Sequence, residues 1–193
     1  MNKLFRFCAL ACAGAITVLM TGCASTPMGM PQASIENTAR LRNAPVAPVK
    51  VGAFTLDSAK PADLDKTMSL RAASIHSPVN NSFAQYLGET LRTELAAAGL
   101  VDPNSQTVIT GSLVESEVDT AIGTARAKLA ARFVVTRAGA VRYDRTLSAE
   151  SSWESSFVGA VAIPMAAGQY QNLYRKLAGQ LFDDADFRKA VAP

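Results

Sequence analysis

The chain has few of the residues that build catalytic sites and covalent cross-links. It contains one histidine, His76, and three cysteines, of which Cys23 is the last along the chain. A solitary histidine without a partner nearby in the sequence gives no basis for a Ser-His-Asp or Cys-His catalytic arrangement. Because no cysteine follows Cys23, the remaining chain must be held together by its hydrophobic core alone. We therefore predict a protein that is not an enzyme.

Metal-ligand patterns and an excess of one charge are also missing. Asp183, Asp184 and Asp186 lack the glycine and the distal glutamate of a calcium loop, so helix N-capping explains them better. The whole chain has 19 Lys and Arg against 16 Asp and Glu. Two of the basic residues lie near the N-terminus, and without them the charges almost balance. We predict no metal, no cofactor and no nucleic-acid partner.

No apolar run reaches the roughly 20 residues that a membrane-spanning helix needs. The run from Phe7 to Met20 follows the basic residues Lys3 and Arg6 and ends at two small residues. A positive start, a short apolar region and small residues before a cut are typical of a secretory signal peptide. We predict cleavage after Gly22, which removes residues 1–22.

The residues around this cut carry a second signal. Leu19-Met20-Thr21-Gly22-Cys23 resembles the lipobox of bacterial lipoproteins, in which the cysteine is acylated and becomes the first residue of the mature protein. An ordinary signal peptide would instead leave Cys23 as a free thiol in an oxidising compartment. Met20 departs from the usual leucine. Cys23 is the predicted lipidation site. The Ala24-Ser25 pair that follows it favours the outer membrane, by resemblance to enterobacterial lipoproteins.

Residues 23–48 show no hydrophobic periodicity and contain four prolines, so we predict an acylated cysteine followed by a flexible tether. The domain then covers residues 49–193. Its first predicted strand runs from Val49 to Leu56, and a weakly patterned connection over 57–79 follows. The best-signalled helix has Ser82 as N-cap with Gln85 three residues on, and it ends before Gly99.

Three alternating segments, Val108–Asp119, Ala125–Val135 and Val141–Trp153, predict an antiparallel meander with one solvated face. In the first hairpin, pairing Lys128 with Glu117 matches both face and charge. In the second, a three-residue loop pairing Thr136 with Ala140 would do the same. This second register predicts the pairs Phe133 with Tyr143, Leu129 with Leu147, Arg132 with Asp144, and Arg126 with Glu150.

From Ser155 to Gly168 the chain is apolar and built of small residues, and helical spacing returns at Gln169. Two interpretations of this segment stay open: a tightly packed crossover under the last helix, or an exposed apolar lip that contacts an acyl chain or a partner. The residues of this candidate binding lip are Trp153, Phe157, Val158, Val161 and Ile163.

The element order predicts an α+β, two-layer sandwich: a mainly antiparallel sheet of about four strands with two helices on one face, β-α-β-β-β-α. The lipobox, the helix SFAQYLGETLRTELAAAGL, the hairpin RAKLAARFVVTRAGAVRYDRT and the terminal FDDADFRKAV together resemble the YajG-like lipoproteins of Gram-negative envelopes. Related small lipoproteins serve as auxiliary parts of envelope transport systems. The resemblance implies no catalytic residues, and it carries over only Cys23 as the acylation site.

These observations lead to one hypothesis and one alternative. The first is a non-catalytic outer-membrane lipoprotein that faces the periplasm. It is held to the membrane by its N-terminal lipid anchor, and it is an accessory or docking component in envelope assembly or transport, with an envelope protein complex as its partner. The alternative is a small lipid-binding module that uses the lip around Trp153 and Phe157–Met165. A hydrolase is a more distant third hypothesis.

Overall fold

The computed structural model describes residues 24–193, so the predicted signal peptide and Cys23 lie outside the described residues. The strands and helices occur along the chain in the following order: β1 (Ala24–Pro27), α1 (Ile35–Arg42), β2 (Lys50–Leu56), a short 3-10 helix (Ala62–Asp65), β3 (Met68–Leu70), β4 (Ala73–His76), α2 (Phe83–Ala97), β5 (Thr107–Asp119), β6 (Gly123–Arg137), β7 (Ala140–Ser155), α3 (Gly159–Asp183) and α4 (Ala185–Val191).

A four-stranded mixed sheet in the order β2-β5-β6-β7 forms one layer of the fold. Strand β2 is parallel to β5, whereas β5, β6 and β7 form an antiparallel meander. The helices form the second layer, with α1 lying against α2 and α3. A smaller sheet contains β1, β4 and β3. The predicted α+β class is confirmed.

The apolar face of the sheet forms because burial alternates along its strands. In β6, Ala127, Leu129, Ala131, Phe133 and Val135 are all buried. The arginines between them on the other face of the same strand are exposed. Period-two alternation of this kind places every second side chain on the helix-covered side. Burial of these side chains, together with the leucines and tyrosines of α2 and α3, provides the hydrophobic driving force for the fold.

The boundaries of α2 follow the predicted capping signals. The Ser82 hydroxyl accepts a hydrogen bond from the Gln85 backbone N–H over 3.1 Å. Gly99 follows the helix with φ of 77°, a conformation that favours glycine. The Gln85 side chain accepts a hydrogen bond from the Asn80 side chain. The predicted helix is therefore confirmed, and its capping box is only half formed.

The predicted register is confirmed for one hairpin and wrong for the other. Lys128 pairs with Glu117 as expected. In the second hairpin Arg137 pairs with Ala140, leaving a two-residue turn in which Ala138 and Gly139 have φ of 49° and 81°. Two positive φ values suit the twist of a tight hairpin, so this turn replaces the predicted three-residue loop.

A bulge after Val135 completes the change, and the register of the second hairpin is displaced by two residues from the prediction. Phe133 lies opposite Arg145 instead of Tyr143. A shift of two residues keeps every side chain on its predicted face. The remaining expected partners change in the same way: Leu129 lies opposite Ala149, Arg132 opposite Thr146, and Arg126 opposite Ser152.

The segment 24–48 is not a flexible tether over its described residues. Strand β1 pairs with β4 in parallel, and α1 packs on the helical layer with Leu41 only 1% exposed. The α1 N-cap is Ser34, whose hydroxyl accepts from the Asn37 N–H. Sequence patterning missed this helix because α1 buries only Asn37 and Leu41, and one of these residues is polar.

Two further segments are more regular than predicted. The connection over 57–79 contains the 3-10 helix and the β3–β4 hairpin. Strand β1 pairs with β4 and adds a third strand to this hairpin. The last long helix begins at Gly159 instead of Gln169. Its first turns contain alanines with high helix propensity, so they form helix without an apolar stripe in the sequence.

Candidate functional site

The N-terminal end of the described chain enters the fold without a spacer. Ala24, the residue after Cys23 in the sequence, pairs with Ala73 at the start of β4. The strand continues to Pro27, and the backbone N–H of Met28 donates to the carbonyl of His76 over 2.9 Å. The Met28 side chain is buried. The predicted lipidation site, Cys23, therefore directly precedes a strand that is built into the domain.

Arg71, in the turn between β3 and β4, connects this strand to the far end of the meander. It has a left-handed φ of 57°. Its guanidinium donates to the Thr120 carbonyl over 2.9 Å, to the Ser155 hydroxyl over 3.0 Å and to the Phe157 carbonyl over 3.4 Å. The start of β1, the β5–β6 loop and the chain entering α3 consequently lie at one end of the molecule, which we call the anchor end.

Large apolar side chains are exposed at the anchor end. Phe157 is 78% exposed and Ile122 is 73% exposed. Ile122 belongs to this group because it precedes Gly123, which pairs with Ser155. We define the apolar lip as the exposed residues Ile122, Phe157, Val158, Val161 and Met165.

The lip uses one side of the first half of α3. Val158, Val161 and Met165 follow helical spacing along the exposed side, whereas Ala162 and Ala166 are buried on the other. The sequence from Ser155 to Tyr174 contains no Asp, Glu, Lys or Arg. The exposed side is thus apolar from Val158 to Met165, and the helix carries no charge as far as Tyr174.

The structure divides the predicted lip between surface and core. Phe157, Val158 and Val161 are exposed, whereas Trp153 and Ile163 are partly buried and pack against the core. The indole N–H of Trp153 is buried and has no hydrogen-bond partner among the described residues. Residues 155–168 are therefore packed against the core on one side and exposed on the other, and contact of the exposed side with an acyl chain or a partner stays a prediction. The exposed Ile122 was missed because it lies in a loop far away in the sequence.

A concavity of about 620 Å³ lies on the solvated face of the sheet, lined by Glu117, Asp119, Arg126, Ala127, Lys128, Glu150, Ser151 and Ser152. The Lys128 ammonium lies 3.1 Å from the Glu115 carboxylate and 3.8 Å from that of Glu150. The hydrogen bond with Glu115 raises the pKa of Lys128. Because opposite charges alternate here, this face is a solvated charge ladder and offers no concentrated anion site.

A neighbouring charged pair lies nearer the second hairpin turn. The Nε atom of Arg132 donates to Oδ1 of Asp144 over 2.6 Å, although the two residues are diagonal instead of directly opposite. This hydrogen bond lowers the pKa of Asp144 and raises that of Arg132. The predicted partnership therefore survives the change of register, because diagonal neighbours are still within reach of a long side chain.

The remaining predicted candidates have structural roles. Nδ1 of His76 lies 3.0 Å from the Ser25 hydroxyl, which links β4 to β1. Asp184 caps α4 by accepting hydrogen bonds from the backbone N–H groups of Asp186 and Phe187, as predicted for the acidic cluster. Within residues 24–193, no group of three or more His, Cys, Asp or Glu side chains is placed to hold a metal ion. Over the same residues, no helix combines the length and the hydropathy that crossing a membrane requires.

The opposite end of the molecule, which we call the distal end, carries the C-terminus. Strand β6 has 15 residues, which corresponds to about 50 Å at roughly 3.4 Å per residue. At its far end the Arg137 side chain donates to the Ala192 carbonyl. Nearby, the Tyr143 hydroxyl donates to Asp184 over 3.1 Å, and Arg145 lies 3.3 Å from the same carboxylate. The distal end is therefore polar and far from the lip.

Comparisons with known proteins support the fold and leave the function open. No protein-family model and no curated protein sequence matches this chain. The crystal structure of protein XCC0632 from Xanthomonas campestris, of family DUF330, has a TM-score of 0.57 at 9% identity, covering 82% of this chain and 92% of that one. A minor lipoprotein from Acinetobacter baumannii has a TM-score of 0.45 at 14% identity, covering 75% of this chain and 95% of its own. The structural neighbours thus include bacterial lipoproteins, while the resemblance to the YajG-like group stays a prediction.

Proposed function

We propose that this protein is a non-catalytic lipoprotein, anchored to the outer membrane through Cys23 and facing the periplasm, that docks a protein complex of the envelope. The observation that carries this proposal is the entry of the chain into β1 at Ala24, one residue after Cys23. With so short a connection, acylation of Cys23 would hold a folded domain against the bilayer.

The anchor is energetically sufficient if more than one acyl chain is attached. Each buried CH2 contributes about 0.8 kcal/mol, so one chain binds marginally, whereas two anchor stably. Pairing of β1 with β4 limits rotation of the domain about its anchor. The anchored domain would then have a fixed orientation, as a docking component requires, with its distal end reaching about 50 Å into the periplasm.

The distal end supports the docking part of the proposal. A concavity of about 370 Å³ is lined there by Arg142, Tyr143, Asp144, Arg145, Asp186, Lys189 and Ala190. Exposed charged side chains on a sheet edge suit a specific, electrostatically complementary protein contact. Val141, next to this concavity along β7, is 60% exposed and adds an apolar contact.

Proximity labelling tests the proposal. We would fuse a biotin ligase to the C-terminus, which lies at the distal end, and compare native protein with a Cys23→Ser version secreted through an ordinary signal peptide. We expect the anchored form to label the same envelope proteins in repeated experiments. We expect this labelling to disappear with the soluble Cys23→Ser control. Labelling no higher than that of the control would contradict the docking role. Recovery of the native protein without an acyl mass would contradict the anchor.

The alternative function, a lipid-binding module, is supported by the exposure of Phe157 and Val161 in the lip. Native mass spectrometry of the non-acylated Cys23→Ser protein distinguishes it. An added mass that matches a phospholipid or fatty acid would support the module. A protein mass without such an addition would favour docking.

A further inference from the structure

We infer that the apolar lip is a membrane-contact surface: it inserts its side chains into the lipid–water interface beside the acyl chains on Cys23. The inference rests on the proposed function, because the acyl chains proposed on Cys23 bring the lip to the bilayer. It adds a second, non-covalent membrane contact. This contact is assigned to the five lip residues Ile122, Phe157, Val158, Val161 and Met165.

The first step of the argument is the position of the lip relative to the anchor. Ala24 is paired with Ala73, about 5 Å away across neighbouring strands. Arg71 is two residues from Ala73, at most about 7 Å along the chain. Its guanidinium then contacts the Phe157 carbonyl. Acyl chains attached at Cys23 and the lip therefore meet the same area of bilayer.

The second step is the direction of the chain. Because β1 runs parallel to β4, its first residue lies at the β3–β4 turn and its last residue lies beside His76. Ala24, the first described residue, therefore lies at the turn that carries Arg71. If β1 ran antiparallel to β4, Ala24 would instead lie beside His76, several residues away from the turn that carries Arg71.

The third step is the chemistry of the surface. Five large apolar side chains are exposed on the β5–β6 loop and the first turns of α3, and the chain carries no charge from Ser155 to Tyr174. An exposed apolar patch, bordered here by the Arg71 guanidinium, marks a site that binds a membrane or a partner. Of the membrane and the partner, we infer the membrane, because the lipid proposed on Cys23 brings this end of the domain to the bilayer. We place this contact at the lipid–water interface, because apolar side chains along one helix face insert at the boundary between headgroups and acyl chains.

The test places a fluorescent reporter on the lip of the acylated protein. Once the signal peptide is removed, Cys23 is the only cysteine and is blocked by lipid, so one added cysteine can be labelled. We would attach an environment-sensitive dye at Val161→Cys, with Val141→Cys at the distal end as the matched control. Both positions are more than half exposed, at 52% and 60%. The proteins are reconstituted in vesicles of phosphatidylethanolamine and phosphatidylglycerol, with or without headgroup-region quencher lipids.

We expect the Val161 reporter to shift to shorter wavelength and to be quenched, while the Val141 reporter is unchanged. In the non-acylated Cys23→Ser protein, Phe157→Ser/Val161→Ser should reduce vesicle binding about fivefold or more. An unquenched Val161 reporter on protein that is acylated and membrane-bound would overturn the inference. A wavelength shift without vesicles, with co-purified lipid, would also overturn it in favour of a lipid-binding module. Protein that carries no acyl chain would contradict the proposed anchor instead, which keeps the two failures distinct.

Discussion

The Asn37 side chain donates a hydrogen bond to the Glu94 carboxylate over 3.0 Å, and both side chains are buried. The other carboxylate oxygen accepts from the Ser34 backbone N–H, also over 3.0 Å. Asn37 donates a second bond to the Arg175 carbonyl. One glutamate on α2 thus holds α1 against the helical layer, and it makes the segment after β1 part of the domain.

Glu94→Ala should therefore loosen α1 and destabilise the protein by about 2 kcal/mol, because the buried Asn37 amide and the partly buried Ser34 N–H lose their acceptor. Urea unfolding measures the stability, and hydrogen exchange of the α1 amides measures the local effect. Glu89→Ala is the matched control, since Glu89 lies on the same helix and pairs with Arg92 at the surface. The control should change stability by only about 0.5 kcal/mol. Equal effects of the two substitutions would contradict a role for Glu94 in holding α1.

Two glycines should respond to alanine with opposite signs. A Cβ on Gly111 would lie 2.5 Å from the Phe54 ring and 2.9 Å from the Arg132 carbonyl oxygen, so Gly111→Ala should cost about 2 kcal/mol or more. Gly168, inside α3, has open space around its missing Cβ. Gly168→Ala should stabilise by about 0.5–1 kcal/mol, because alanine favours helix. The midpoints of thermal unfolding of the two variants and of the wild type measure both effects. Destabilisation by Gly168→Ala would show that this part of α3 is not helical.

Asp184→Ala should remove the α4 cap and lower stability by about 1 kcal/mol at neutral pH. Burial raises the pKa of Asp184, but the N–H groups of Phe187 and Asp186, the Tyr143 hydroxyl and Arg145 lower it on balance. A lowered folded-state pKa contributes stability above the unfolded value of about 3.9, and this is lost as the pH falls through the folded value.

The difference between wild type and Asp184→Ala in urea midpoint should therefore shrink between neutral pH and pH of about 3. The exposed Asp63→Ala, in the 3-10 helix, is the control and should change little at either pH. A difference that stays constant with pH would show that the carboxylate charge of Asp184 contributes nothing to the cap.

Arg71→Ala should loosen the anchor end, because one guanidinium bonds to the Thr120 carbonyl, the Ser155 hydroxyl and the Phe157 carbonyl. We expect a loss of about 1–2 kcal/mol and faster hydrogen exchange near Phe157. Arg142→Ala, on the exposed part of β7, should leave exchange there unchanged. Unchanged exchange in the Arg71 variant would mean that the lip is positioned by α3 packing alone.

Much of the domain could be predicted from local patterns. The alternation in β6 identified the buried face because period-two burial leaves a direct trace in the sequence. Ser82 and Gly99 marked the ends of α2 for an equally local reason, since capping depends on residues next to the helix. The register of the second hairpin was two residues wrong, because turn type and a bulge determine it, and charge matching cannot distinguish a direct pair from a diagonal one.

The sequence by itself determined the buried face of the meander strands and the long helix α2, and it predicted a lipobox at Cys23, because each of these patterns depends on residues that are neighbours along the chain. Only the tertiary structure decided that α1 and β1 join the domain, that residues 155–168 have a buried and an exposed side, and that the lip lies at the end of the molecule where β1 begins. Arg71 and Phe157 are 86 residues apart. Contacts over such separations arise from the path of the whole chain, and no local pattern records them.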